Sequence, residues 1–204
     1  MPRRPGAPTE DRRNQILEGA LKVFAEKGFK GATNKEIADA AGGISPGLIY
    51  WYFASKEDLL FALIENRVGP GGIPVPIEHL TAFPPEQVLP MLAHYGLSRL
   101  DNQDTINLFK IFVGEAVRSE QIRTIANQHV NRLMETIANY LAAQMDQGRM
   151  RRDDPLLCAQ TFLAGLMASI IRRQFLGDAK MLSYTTDEIV NTVVGIFLRG
   201  TRPD

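Results

Sequence analysis

Side chains able to do acid–base, nucleophilic or metal chemistry are few and scattered in this sequence. The three histidines, His79, His94 and His129, lie far apart. The one cysteine, Cys158, stands in an apolar run without an obvious basic partner, so it reads as a small buried hydrophobe. No HExxH, paired-cysteine, P-loop or dinucleotide-binding pattern occurs. The expectation is a non-enzyme with no metal and no cofactor. Informative polar and aromatic residues gather instead between Thr33 and Phe53: Thr33-Asn34-Lys35-Glu36, then Gly42-Gly43, then Ser45-Pro46-Gly47-Leu48-Ile49-Tyr50-Trp51-Tyr52-Phe53. Consecutive aromatics at 50–53 span more than one face of a helix. Tyr50 or Trp51 must then be exposed, presenting a phenol or an indole donor.

The elements that position these residues can be read from local signals. Thr33 and Glu36 have capping-box spacing, and a short helix should follow to about Ala41, with Ile37, Ala40 and Ala41 inward. Gly42-Gly43 makes a turn. Ser45-Pro46 restarts a helix, with Ser as cap and Pro at the first position. Two short helices about a glycine turn form a helix-turn-helix, whose second helix can enter the major groove of DNA. Before it, Thr9-Glu10-Asp11 opens a helix carrying Ile16, Leu17, Ala20, Leu21 and Phe24 on one face, and Gly28 closes it. After it, Ser55 caps a fourth helix with Leu59, Leu60, Ala62 and Leu63. The recognition segment SPGLIYWYF lacks Arg and Asn, the usual base readers. Contact with thymine methyls, backbone amides and readout of DNA shape are expected there.

Bulk numbers permit this reading without proving it. The chain has 204 residues, 45% hydrophobic and 23% charged, with a formal net charge of zero. Up to Lys56 there are nine Lys and Arg (Arg3, Arg4, Arg12, Arg13, Lys22, Lys27, Lys30, Lys35, Lys56) against six acids (Glu10, Asp11, Glu18, Glu26, Glu36, Asp39). That modest excess is compatible with DNA. Val68 to Pro76 is rich in Gly and Pro and reads as a linker or irregular loop. Beyond it, helices are expected at roughly 85–100, 104–118, 119–147, 154–176 and 185–199, with Gly148, Gly177 and Gly200 as stops and no strand pairs. The fold class is all-α: a three-helix helix-turn-helix domain followed by a helical bundle. The uncharged run from Pro155 to Ile171 falls just short of a membrane span. No membrane partner is expected, and the N-terminus has no secretory h-region. A reducing cytoplasm fits the lone cysteine.

The last two helices carry the signature of an interface. Ala159, Ala164, Gly165, Ala168 and Ser169 are small, and Ile189, Val190, Val193, Val194, Ile196 and Phe197 make the last helix apolar over much of its circumference. Pairing with the same helices of a second copy would give a four-helix bundle and a homodimer.

From Gly28-Phe29 through Thr33, Ile37-Ala38, Ala41-Gly42, Ile44-Ser45, Gly47, Ile49-Tyr50, Tyr52-Phe53, Ser55-Lys56 and Leu59-Leu60, the sequence resembles the DNA-binding domain of TetR regulators. The resemblance covers about Thr9 to Leu63. It departs in having Gly43 beside Gly42, Pro46 where a polar or basic residue is frequent, and Trp51 where His is common. It implies a DNA-binding domain at 1–67 and a ligand-binding and dimerisation domain at 68–204. It also implies a repressor released from a palindromic double-stranded operator by a small, mostly apolar effector. Thr33, Asn34, Lys35, Ser45, Pro46, Gly47, Leu48, Tyr50, Trp51 and Lys56 would face DNA. Of these, Thr33, Tyr50, Trp51 and Lys56 would bond phosphates, while Ile49, Tyr52 and Phe53 would face inward. His94, Tyr95, Phe109, Phe112, His129, Leu133, Met134, Phe162 and Met167 would line the effector pocket. Arg172-Arg173 would either attract an anionic ligand or simply end a solvated helix. A transcriptional activator of the same fold, or an interaction protein that has lost specific DNA binding, are the alternatives.

Overall fold

The computed structural model describes residues 10–68 and 76–203. Ten α-helices occur among them: α1 Glu10–Gly31, α2 Asn34–Ala40, α3 Pro46–Tyr52, α4 Lys56–Val68, α5 Pro85–Arg99, α6 Gln103–Arg118, α7 Glu120–Asp146, α8 Pro155–Ile170, α9 Ala179–Leu182 and α10 Thr186–Gly200. A 3-10 turn covers Ile77–Leu80, and a π-helical turn, Ile171–Phe175, extends α8. The described residues contain no strand. Two compact units are present. The first takes in the N-terminal segment through Arg67 together with Asn107–Ile125, and the second comprises Val68–Ile106 and Ala126–Asp204. Helices α6 and α7 therefore each contribute residues to both units. Arg3 and Arg4, and most of the Gly/Pro-rich linker, lie outside the described residues.

The first unit is built around α1. Ile16, Leu17, Ala20, Val23 and Phe24 recur every three or four positions and are all buried. Ile37 and Ala38 of α2, Ile49 of α3, and Leu59, Leu60 and Leu63 of α4 complete the same core. At Gly28 the backbone leaves the helical region (φ 70°, ψ 172°), as the expected stop requires, but one more turn follows to Gly31. That turn brings the Phe29 ring against Phe24, with centroids 5.5 Å apart. Helices α1 and α2 meet at Gly19, where an added Cβ would lie 2.8 Å from the Ala41 nitrogen and 2.9 Å from the Ile37 oxygen. No local sequence signal announces that contact. Arg67 donates to both carboxylate oxygens of Glu18, tying the end of α4 to α1.

In the second unit, α10 packs on α5 and on α8. The small residues foreseen in α8 do permit a close approach: a Cβ on Gly165 would sit 3.0 Å from Val193 of α10. Beside it, the Phe162 and Phe197 rings meet at a tilt of 55°, with centroids 5.4 Å apart. At the end of α7, Tyr140 donates to the Phe83 carbonyl and Gln144 to the Thr81 carbonyl, so both buried polar side chains are satisfied. With its π-helical turn, α8 forms a 21-residue stretch that length and composition alone would let cross a membrane. The uncharged run underestimated this length because helix geometry continues through Arg172 and Arg173. Leu156, Leu157 and Ile171 along this stretch and Ile196 on α10 are exposed.

Candidate nucleic-acid interface

The capping box at the start of α2 forms as the spacing predicts. The Glu36 amide donates to the Thr33 hydroxyl, and the Glu36 carboxylate accepts from the Thr33 amide at 3.0 Å. Two further partners were not legible. The Thr33 hydroxyl also gives its proton to Glu36, at 2.8 Å, and Lys27 of α1 hydrogen-bonds and pairs with the same carboxylate. These contacts hold the Glu36 carboxyl down to about 2, the Lys27 hydrogen bond most strongly, then the Thr33 hydroxyl and amide. For Thr33 this has a consequence. Its hydroxyl can donate to a phosphate only by releasing Glu36.

The turn between α2 and α3 uses both glycines. Gly42 and Gly43 have φ of 94° and 72°, and an added Cβ at either would meet open space. Backbone conformation, and not crowding, asks for glycine here. The Gly43 and Ile44 amides both return to the Ala38 carbonyl, closing α2. Pro46 opens α3 as expected, but Ser45 makes no side-chain cap, which corrects the sequence reading. The Ser45 hydroxyl is exposed instead.

Helix α3 has two faces. Ile49 is buried and Phe53, just beyond the helix, is buried behind it, while Tyr52 is half-buried. Tyr50 and Trp51 are 59% and 66% exposed. Packing within the domain gives no reason to expose two adjacent aromatics of this size. Ser45, Pro46 and Gly47 are exposed and Leu48 half-buried. Asn34 donates its amide to the Tyr50 hydroxyl at 2.7 Å, linking α2 to α3. Lys35 is exposed one residue further on. Of the ten expected DNA-facing residues, nine lie within residues 33–51, seven of them exposed and two, Asn34 and Leu48, half-buried.

Lys56 is the exception. Its ammonium donates to the Phe29 carbonyl at 2.7 Å and the Ala32 carbonyl at 3.0 Å, and lies 4.6 Å from the centroid of the Phe29 ring. Two of its three donors thus close the frayed end of α1. Lys56 is thus a structural staple, with two of the donors expected on phosphate already engaged. Its side-chain direction is set by a turn 27 residues earlier, which local pattern cannot show.

Comparison with known proteins bears on this arrangement. Residues 16–63 match the family of bacterial regulatory proteins of the tetR type, and residues 87–200 match the C-terminal domain of AefR-like transcriptional repressors. The chain belongs to the TetR family. It is 28% identical over 183 residues to the HTH-type transcriptional repressor AcnR of Corynebacterium glutamicum, covering 89% of this chain and 92% of that one. It is also 28% identical over 180 residues to the HTH-type transcriptional regulator AcrR of Shigella flexneri, covering 82% and 81%. Among solved structures, a TetR-family regulator from Mesorhizobium loti superposes with a TM-score of 0.73 at 22% identity, over 96% of this chain and all of that one. A SmeT–triclosan complex superposes at 0.76 and 17% identity, over 96% and 93%. At those identities the structural likeness carries the fold. The TetR chain described here is a transcriptional regulator built on a helix-turn-helix.

The residues expected to line an effector pocket of this TetR chain are divided between the two units. Phe112 is buried and packs on Phe61, with centroids 6.4 Å apart, and with Phe109 it belongs to the first unit. Phe162 is core against Phe197. His94 is held between the Pro90 carbonyl (Nδ1, 2.9 Å) and the Asp187 carboxylate (Nε2, 2.8 Å). Those contacts raise its pKa above the ordinary 6.5, the Asp187 bond first. Phe112, Phe162 and His94 thus each have tertiary partners within the fold. Tyr95, His129, Leu133, Met134 and Met167 are half-buried in the second unit. A cleft of about 500 Å³ in that unit, bordered by Ser169, Tyr184, Glu188 and Val193, includes none of the nine. Arg172 pairs with Asp178, and Arg173 faces Asp101 at 3.8 Å, so each arginine has an acidic neighbour within the fold.

Proposed function

We propose that this regulator is a homodimeric repressor that binds a palindromic operator through Thr33–Trp51 and leaves it when a small, mostly apolar molecule binds the second unit. One observation carries the DNA reading. Tyr50 and Trp51 stand exposed on a short helix whose other face is anchored by Ile49. With few base-edge donors on α3, phosphate contacts position the helix, and thymine methyls and DNA shape select the sequence. The division into a DNA-binding part at 1–67 and an effector and dimer part at 68–204 belongs to the same proposal.

The exposed apolar residues of α8 and α10 support dimerisation. Leu157 is 60% exposed and Ile196 60%, on helices already packed on each other through Gly165 and Val193. A second copy covers them in a four-helix bundle. Coupling follows from α6, which starts in the second unit and continues in the first, where Phe112 touches Phe61 of α4. An effector that favours one position of α6 shifts the population of DNA-competent dimers. Half-buried Tyr95, Leu133, Met134 and Met167 suit an adaptable apolar ligand.

Fluorescence and light scattering test the proposal together. Trp51 is the only tryptophan, so its emission should change when duplex DNA binds. Ile196→Asp should give a monomer with much weaker DNA binding. A wild-type monomer, or Trp51 emission indifferent to every duplex tried, contradicts it.

A further inference from the structure

The Asn34–Tyr50 hydrogen bond joins two side chains whose DNA-facing roles were read separately, and it changes what each of them does. We propose that Asn34 is a positioning residue that fixes the Tyr50 hydroxyl as a pre-aimed donor for one operator phosphate. This rests on the DNA-binding reading above and deepens it.

The chemistry is that of a phenol. Its O–H lies in the ring plane and has two orientations, one on each side of the C–O bond. Each planar side of the oxygen can hold either the proton or an accepted hydrogen bond. Asn34 donates into one side at 2.7 Å. The Tyr50 proton is thereby turned to the other side. Among the described residues no acceptor receives that proton. The ring is 59% exposed, so the donor points away from the protein core. A half-buried amide at the first position of α2 thus sets both the rotamer and the proton direction of an exposed phenol on α3.

The surroundings favour phosphate as the acceptor. Lys35, next to Asn34, is exposed and cationic, and the nearby acid, Glu36, is already engaged by Lys27 and Thr33. Thr33, one residue before Asn34, spends its own proton on Glu36. Tyr50 is therefore a neutral donor on this surface whose proton is already directed by a protein partner. Pre-orientation removes the need to freeze the phenol when DNA binds, and the gain appears as affinity. Among the described residues Trp51 has no such hydrogen-bond partner, so its indole would be ordered by the DNA itself.

The test uses the full-length dimer and a duplex carrying the motif that the wild-type protein recovers from a random pool. Each phosphate in one half-site is replaced in turn by a neutral methylphosphonate. Wild-type binding should weaken at one phosphate in a way that Tyr50→Phe does not reproduce, because the phenylalanine has already lost that contact. Tyr50→Phe should weaken binding to the native duplex about tenfold, and Asn34→Ala about threefold to fivefold. Their combination should equal Tyr50→Phe alone, since Asn34 acts only through the phenol. Asn34→Asp should weaken binding more than Asn34→Ala, because a carboxylate would take the Tyr50 proton for itself. That excess should shrink in the Tyr50→Phe background to what the added charge alone costs. The salt dependence of binding should be the same for Asn34→Ala as for wild type, as no cation is lost. Thermal midpoints of the variants check that they fold. Additive effects of Asn34→Ala and Tyr50→Phe, or an unchanged Asn34→Ala, overturn the inference while leaving DNA binding intact. A wild-type protein that recovers no motif overturns the DNA reading and this inference with it.

Discussion

Gly19→Ala separates helix propensity from packing, because the two predict opposite signs. Gly19 lies inside α1, where alanine favours the helix by about 1 kcal/mol. Against that, the new methyl would lie 2.8 Å from the Ala41 nitrogen, 2.9 Å from the Ile37 oxygen and 3.0 Å from the Ala41 Cβ. None of these atoms can move by rotating a side chain. The Ala41 amide is also bonded to the Ile37 carbonyl at 2.9 Å, so the end of α2 must shift as a block. Restoring ordinary contact needs a displacement of about half an ångström. Overpacking of this kind costs about 1–3 kcal/mol, and rigid neighbours place it near the upper end. The net expectation is a loss of about 1–2 kcal/mol, or roughly 2–8 °C in thermal midpoint for a chain of this size. Because α2 carries Asn34 and leads into α3, DNA affinity should fall as well. Gly96→Ala is the control. It sits in α5 with nothing within 4 Å of the added Cβ and should gain about 0.5–1 kcal/mol. Urea unfolding of both variants decides the matter. A Gly19→Ala protein as stable as Gly96→Ala would refute the close α1–α2 approach.

Lys56→Met should cost about 1–2 kcal/mol by stranding the Phe29 and Ala32 carbonyls, yet leave the salt dependence of DNA binding unchanged; a slope lowered by about one would restore its phosphate role. The Glu36 carboxyl is held down to about 2 from 4.5, so its contribution to stability is present above pH 4.5 and lost as pH falls towards 2. Glu36→Gln should therefore narrow the stability difference between pH 5 and pH 3, measured by urea midpoints. For His94 the shift is upward, chiefly from the Asp187 bond and then the Pro90 carbonyl, so its contribution is full below pH 6.5 and lost as pH rises through its raised value. Asp187→Asn should lower the His94 titration midpoint followed by NMR and flatten stability across neutral pH.

Local signals in the sequence carried the helix-turn-helix because the residues that build it bond to neighbours a few positions away. Thr33 and Glu36 cap across three residues, Gly42 and Gly43 make their turn on the spot, and Ile16 to Phe24 declare their face by spacing. Asp154 and Thr185 likewise cap α8 and α10 where expected. What was illegible depends on partners distant in sequence. Lys56 turned out to serve carbonyls at 29 and 32, Asn34 to hold a phenol at 50, and Phe162 to meet a ring at 197. The carboxylate that holds His94, Asp187, likewise stands 93 positions away. The short α9 and the π-helical turn were also missed. Four residues carry too little periodicity to see, and a π turn differs from an α turn only in hydrogen-bond register.

The most direct test of the central claim is selection from a random duplex pool by the full-length protein at moderate salt, followed by sequencing of the retained DNA. The account predicts a palindrome whose two half-sites are centred about one helical turn apart, or a multiple of it, with thymines under the apolar front of α3. Recovery of no motif, with binding that collapses as salt rises, would mean backbone attraction alone and would contradict it.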